Sequence, residues 1–141
     1  MKSTSAAALL LIVSLPIRTL LGGEDVFMAL SFKDAVELAE KENKTVVVKF
    51  HADWCHWCQL MDSETFTDEA VVNSLQSFIV IRVNVDSREG LKIAQRVGVV
   101  SIPTIVFLDG RGEVVGKYAG FRSPVQMKEL LTAVETRNNG K

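Results

Sequence analysis

The run "TVVVKF" at residues 45–50 constrains the fold of this chain more than any other stretch. It is short, β-branched and almost wholly apolar, the pattern of a strand covered on both faces rather than one with a wet side. Such a strand belongs at the centre of a sheet, and the cover must come from helices elsewhere in the chain. Upstream, Ser31 caps a helix whose Phe32, Ala35, Val36 and Ala39 form one apolar stripe, ending near Asn43. Downstream, "DEAVVNSL" (68–75) reads as a short helix, "FIVIRVNVD" (78–86) as a second strand, and "REGLKIAQRV" (88–97) as a helix closed by Gly98. "TIVFLD" (104–109) and "EVVGKYA" (113–119) flank the turn residues "GRG" as an antiparallel hairpin. In "SPVQMKELLTAVETR" (123–137), Ser123 caps a last helix, Pro124 opens it, and Met127, Leu130, Leu131 and Val134 are its buried stripe. This order gives one α/β domain over residues 24–138, a mixed sheet with helices on both faces, and a disordered tail at 139–141.

The first residues follow a different logic. "MKSTSAAALLLIVSLPIRTLLGGED" has Lys2, an apolar run from Ala6 to Leu15, a proline and then small residues before the first acid at Glu24. That is the layout of a secretory signal, placed at 1–23 with Gly22-Gly23 as the cut. The run falls short of the ~20 residues that span a bilayer, although Leu20 and Leu21 would lengthen a tilted anchor, and a buried first helix is the third reading. The expected location is therefore periplasmic or otherwise exported, with or without a membrane tether. A formal net charge of −1 carries no basic excess that would point to nucleic acid.

A chain of 141 residues buries enough core to dispense with staples, so its two cysteines, Cys55 and Cys58, are free for chemistry. Outside the cytosol a lone dithiol becomes either a structural bridge or a redox centre. Two intervening residues close too short a loop for a useful staple. The pair lies at a strand-to-helix turn, which puts Cys55 at a helix N-terminus, where the macrodipole and free N–H groups favour a thiolate. Cys58 follows one turn later, placed to resolve a mixed disulfide formed on Cys55. Asp62 continues the same helical face at i+7. It is a proton acceptor for Cys58 on one reading and an ordinary solvated carboxylate on the other.

A tryptophan before C-x-x-C at the end of a hydrophobic strand, followed by "SIPT" (101–104), resembles the thioredoxin superfamily, over about 110 residues from the first helix to the last. Within it, "FHADWCHWCQLMDSETFTDEAVV" and "PTIVFLDGRGEVVGKYAGF" are most similar to the C-terminal domain of DsbD-type membrane reductases. The "CHWC" core with its following "SETF" also resembles thioredoxin-like proteins related to a spermatogenesis-associated family. The resemblance implies a thioredoxin-like fold and a cis Pro103 facing the cysteines, with Ile102 offering its backbone to an extended partner chain. A trans proline that merely ends a loop is the bland alternative. An acidic residue at the place of Asp62 is likewise part of the DsbD-type pattern.

Lys49 departs from that pattern, because thioredoxins carry a buried aspartate six residues before the first cysteine. A cation there favours thiolates and makes the disulfide easier to reduce; otherwise Lys49 snorkels to the surface and touches nothing of interest. His56, between the cysteines, adds to the same electrostatic effect. Trp54 and Trp57 are expected to flank the pair as a contact surface, unless Trp54 is core. A rival reading gathers Cys55, Cys58, His51 and His56 around zinc or Cu(I) as a metal carrier. The favoured expectation is an exported thiol:disulfide oxidoreductase with no cofactor beyond its own cysteines. It would serve protein disulfides, more as a reductase than as an oxidase, and draw electrons from a DsbD-type membrane donor.

Overall fold

Strand β1 (Val46–His51) runs through the middle of the molecule, and five of its six residues are buried. In the computed structural model, which describes residues 25–140, it is flanked by β2 (Ile79–Asn84) on one side and β3 (Thr104–Leu108) on the other. The sheet is completed by β4 (Val114–Ala119), in the order β2-β1-β3-β4. β1 pairs with β2 in parallel and with β3 antiparallel, and β3 pairs antiparallel with β4. The parallel step needs a crossover, which α2 (His56–Glu64) and α3 (Glu69–Leu75) supply. The mixed sheet read from the sequence is therefore present, with strand ends displaced by a residue or two.

Side chains on successive strand residues point to opposite faces, and the core divides accordingly. Val46, Val48 and Phe50 join Ile79, Ile81, Val83, Val106 and Leu108 against α1 (Phe32–Glu42) and α4 (Arg88–Arg96). Val47, Val80, Ile105 and Phe107 face the other way, against α2, α3 and α5 (Pro124–Asn139). Each of these buried aliphatic or aromatic side chains contributes about 1.5–3 kcal/mol.

The helix ends are set by local chemistry. Ser31, Asp68, Ser87 and Ser123 each accept a backbone N–H two or three residues into their helix, and Ser123 with Gln126 completes a capping box. Gly98 takes φ +71 just past α4, a left-handed conformation that a Cβ would penalise. α5 continues to Asn139, beyond the Arg137 at which its pattern seemed to stop in sequence, so Asn139 is helical rather than part of a loose tail. The expected signal at 1–23 lies outside the described residues. Among the described residues no helix is long and apolar enough to cross a membrane.

Before α1, residues 25–30 pass along the outer edge of β2. The Met28 N–H donates to the Val80 carbonyl at 2.7 Å, Phe27 enters the core, and Asp25 pairs with Arg82 at 3.0 Å.

Candidate active site around Cys55 and Cys58

β1 ends at His51, and a tight turn through Ala52 to Trp54 delivers the chain to α2. Helix α2 begins at His56, so Cys55 is its N-cap. Its Sγ accepts the Cys58 N–H at 3.2 Å, the position a serine or aspartate oxygen takes at the other helix starts. Cys55 and Cys58 form a disulfide, with Cα atoms 5.2 Å apart. Both are buried, but unequally. Cys55 is 6% exposed and Cys58 1%. The less deeply buried cysteine is thus the one whose thiolate the helix N-terminus favours.

Ile102 packs half-buried against Ala52, Cys55 and Cys58, and the Ile102–Pro103 peptide bond is cis. Pro103 is itself buried, and its carbonyl accepts the Gly120 N–H at 2.8 Å. The "SIPT" segment and the cysteine turn, far apart in sequence, are therefore brought together.

Trp54 is 70% exposed and Trp57 56%, so the reading of Trp54 as core is overturned. The Trp54 indole N–H donates to Asp86 Oδ2 at 2.8 Å, which fixes the ring beside a shallow groove of about 400 Å³. Val85, Leu91, Val99, Val100 and Ile102 line it. On the other side of the disulfide, Trp57 packs on Phe121, their ring centres 5.9 Å apart, and on exposed His56 at 5.7 Å. Asp86 and the groove residues were missed in sequence. The apolar pair Val99-Val100 just before "SIPT", of which Val100 is exposed, was the available signal.

Lys49 does not snorkel. Its side chain is wholly buried, because the turn, α2 and residues 25–28 close over it. The ammonium donates to the Cys58 carbonyl at 3.1 Å and forms an ion pair with Asp62. It also lies 5.8 Å from the Phe27 ring centre and 5.7 Å from that of Phe66. Burial pushes the Lys49 ammonium below the ordinary lysine range, while Asp62 pulls it back. Asp62 does share the cysteine face of α2, but the partner of its carboxylate is Lys49 rather than a sulfur. Its side chain is 34% exposed, so it is a partly solvated carboxylate held by an ion pair.

His51 sits half-buried at the end of β1, and burial lowers its pKa, with the nearby positive charges of Lys49 and Arg82 adding to the effect. Among the described residues no group of three or more His, Cys, Asp and Glu is placed to hold a metal ion. The ligand set Cys55, Cys58, His51 and His56 imagined from sequence is not assembled.

A disulfide at a helix N-terminus, one cysteine less deeply buried than the other, with an apolar groove alongside, is an arrangement for exchanging disulfides with other chains. Comparison with known proteins agrees. Residues 32–135 match the model of a thioredoxin-like domain family. The thiol:disulfide interchange protein DsbD of Photorhabdus laumondii is 29% identical over 98 residues, 67% of this chain but only 17% of that protein's length. A thioredoxin from Thermus thermophilus superposes with a TM-score of 0.69 at 33% identity, covering 76% of this chain and 85% of the other. The reduced C-terminal domain of DsbD from Neisseria meningitidis shares the fold, with a TM-score of 0.64 at 24% identity over 72% of this chain and 91% of that one.

Proposed function

Since this chain belongs to the thioredoxin-like domain family, we propose that it is an exported thiol:disulfide oxidoreductase that reduces protein disulfides with the Cys55–Cys58 pair. The observation that supports this reading best is the inequality of the two cysteines: Cys55 caps α2 and is the less deeply buried of the pair. In the reduced protein the Cys55 thiolate attacks a substrate disulfide, forming a mixed disulfide and releasing one substrate sulfur as a thiolate that takes up a proton. Cys58, losing its proton, then attacks Cys55 Sγ. The second substrate sulfur leaves, the Cys55–Cys58 bond closes, and two electrons have passed to the substrate. The groove beside Trp54 and Ile102 receives an apolar side chain of the partner, and the backbone of Ile102 lies alongside the partner's extended chain.

The pair is then recharged by another dithiol. A membrane donor of the DsbD type suits the relative that is named a thiol:disulfide interchange protein. The apolar segment at Ala6–Leu15 supports a place outside the cytosol, tethered or free. No cofactor beyond the two sulfurs is required.

Equilibration with glutathione or dithiothreitol redox buffers, read through Trp54 and Trp57 fluorescence, tests the reading. A potential near thioredoxin's, about −270 mV, supports a reductase. The buried cation at Lys49 favours a second reading, a disulfide-donating oxidase, which a value near about −120 mV would select. Cys58→Ser should accumulate mixed disulfides through Cys55, whereas Cys55→Ser should trap none.

A further inference from the structure

Among the described residues one buried cation, Lys49, lies next to the redox pair, and it has no part in the exchange steps above. Lys49 leaves β1 on the face that α2 covers, and its ammonium ends at the Cys58 carbonyl, between the Phe27 and Phe66 rings. A side chain this long, sealed on every side, is held by few partners. Its ion pair is with Asp62, whose side chain is 34% exposed and therefore keeps part of its hydration. The other charges that face it are Arg82, on β2, and Asp25, before α1, and these pair with each other at 3.0 Å. His51, on the same strand, is held toward its neutral form by burial and by Lys49 itself. The net field at Cys58 is therefore set by Lys49 and Asp62, with the lysine the more deeply desolvated of the two.

We infer that Lys49 is a positioning residue that sets the redox balance of Cys55–Cys58, its buried charge stabilising the reduced pair while Asp62 restrains that effect. The inference rests on the oxidoreductase reading and deepens it. Reduction by a dithiol or by two glutathiones breaks the Cys55–Cys58 bond and delivers two electrons. The two sulfurs take up two protons if both end as thiols, and one if a thiolate persists. The disulfide is neutral, so a nearby cation does nothing for it. A thiolate, by contrast, gains from that cation in a low-dielectric setting. The cation therefore pulls the equilibrium toward the dithiol, and the Asp62 carboxylate opposes it.

The test is the equilibrium constant of the full-length protein with glutathione at neutral pH, for the parent and for Lys49→Met, Asp62→Asn and the double variant. Methionine fills the space between Phe27 and Phe66 with an apolar chain of similar length. Lys49→Met leaves Asp62 unopposed and should move the constant toward the disulfide by about tenfold, which is about 30 mV for a two-electron couple. Asp62→Asn should move it toward the dithiol. The double variant should return close to the parent, a restoration that a merely structural role for Lys49 would not produce. The rate of Cys55 alkylation against pH should shift with the constants, its midpoint highest in Lys49→Met. Constants for all four proteins within about twofold, or single-variant shifts of the same sign, would overturn the inference. If Lys49→Met does not fold, Asp62→Asn decides alone: a shift toward the dithiol supports the inference, and no shift or the opposite shift overturns it. A parent with no reversible transition overturns the oxidoreductase reading and this inference with it.

Discussion

The two faces of strand β1 are built to different ends. One face presents Val46, Val48 and Phe50 to α1 and α4, within a cluster of buried aliphatic and aromatic side chains that holds no charge. The other presents Val47 and Lys49, with His51 following by alternation, toward α2, and the core there closes over a charge. The same six residues thus serve packing on one side and chemistry on the other. A single strand with period two can hold a site rigidly without the site's polar groups interrupting the layer that holds it.

The sharpest way to break this division is to damage the packing face and look for an effect on the chemical one. Phe50→Ala should lower stability by about 3–5 kcal/mol in urea unfolding. The molecules that remain folded should keep the parent's equilibrium constant with glutathione. A large redox shift in this variant would mean that the two faces are not independent.

Phe66→Leu acts on the other face. It exchanges one of the rings beside Lys49 for an aliphatic side chain and should cost about 1 kcal/mol of stability in the same measurement. Unlike Phe50→Ala, it should also shift the glutathione equilibrium, because the lysine's surroundings change.

His51 gives a smaller effect that appears only in acid. Its pKa lies below the ordinary 6.5, chiefly through burial and then through Lys49 and Arg82. Above that pH the imidazole is neutral both folded and unfolded, and stability is unaffected. As pH falls through the window between 6.5 and the lowered native value, the unfolded chain takes up a proton that the native state resists, so stability declines. His51→Gln should flatten that part of the stability profile measured by thermal unfolding at stepped pH.

The smallest change in stability belongs to Trp54→Phe, which removes the indole bond to Asp86 from an exposed ring and should cost less than about 0.5 kcal/mol. Its exchange rate with a protein disulfide should nonetheless fall, since the ring would no longer be fixed beside the groove. Unchanged exchange would place partner docking elsewhere on the surface.

What could be read in advance follows the same division. The packing face is written in local pattern: β-branched runs, capping serines and helical stripes name the elements, and the cysteine spacing at a strand-to-helix turn names the reactive pair. Lys49 was legible only as an anomaly. Its burial depends on Phe27, from a segment with no periodicity, on Phe66 after α2, and on Asp62 thirteen residues away, and no local signal couples these. The groove had the same difficulty, because Trp54 and Asp86 are thirty-two residues apart and meet only once β2 has paired with β1. Metal ligation failed for a related reason. His51 and His56 are near the cysteines in sequence, yet the end of a strand and the start of a helix do not aim them at one point.

The cap of α2 has one more consequence. Because the Cys58 N–H is bonded to Cys55 Sγ across the first turn, the sulfur bridge and the start of the helix share one atom. Whatever touches that atom therefore touches the end of the helix as well.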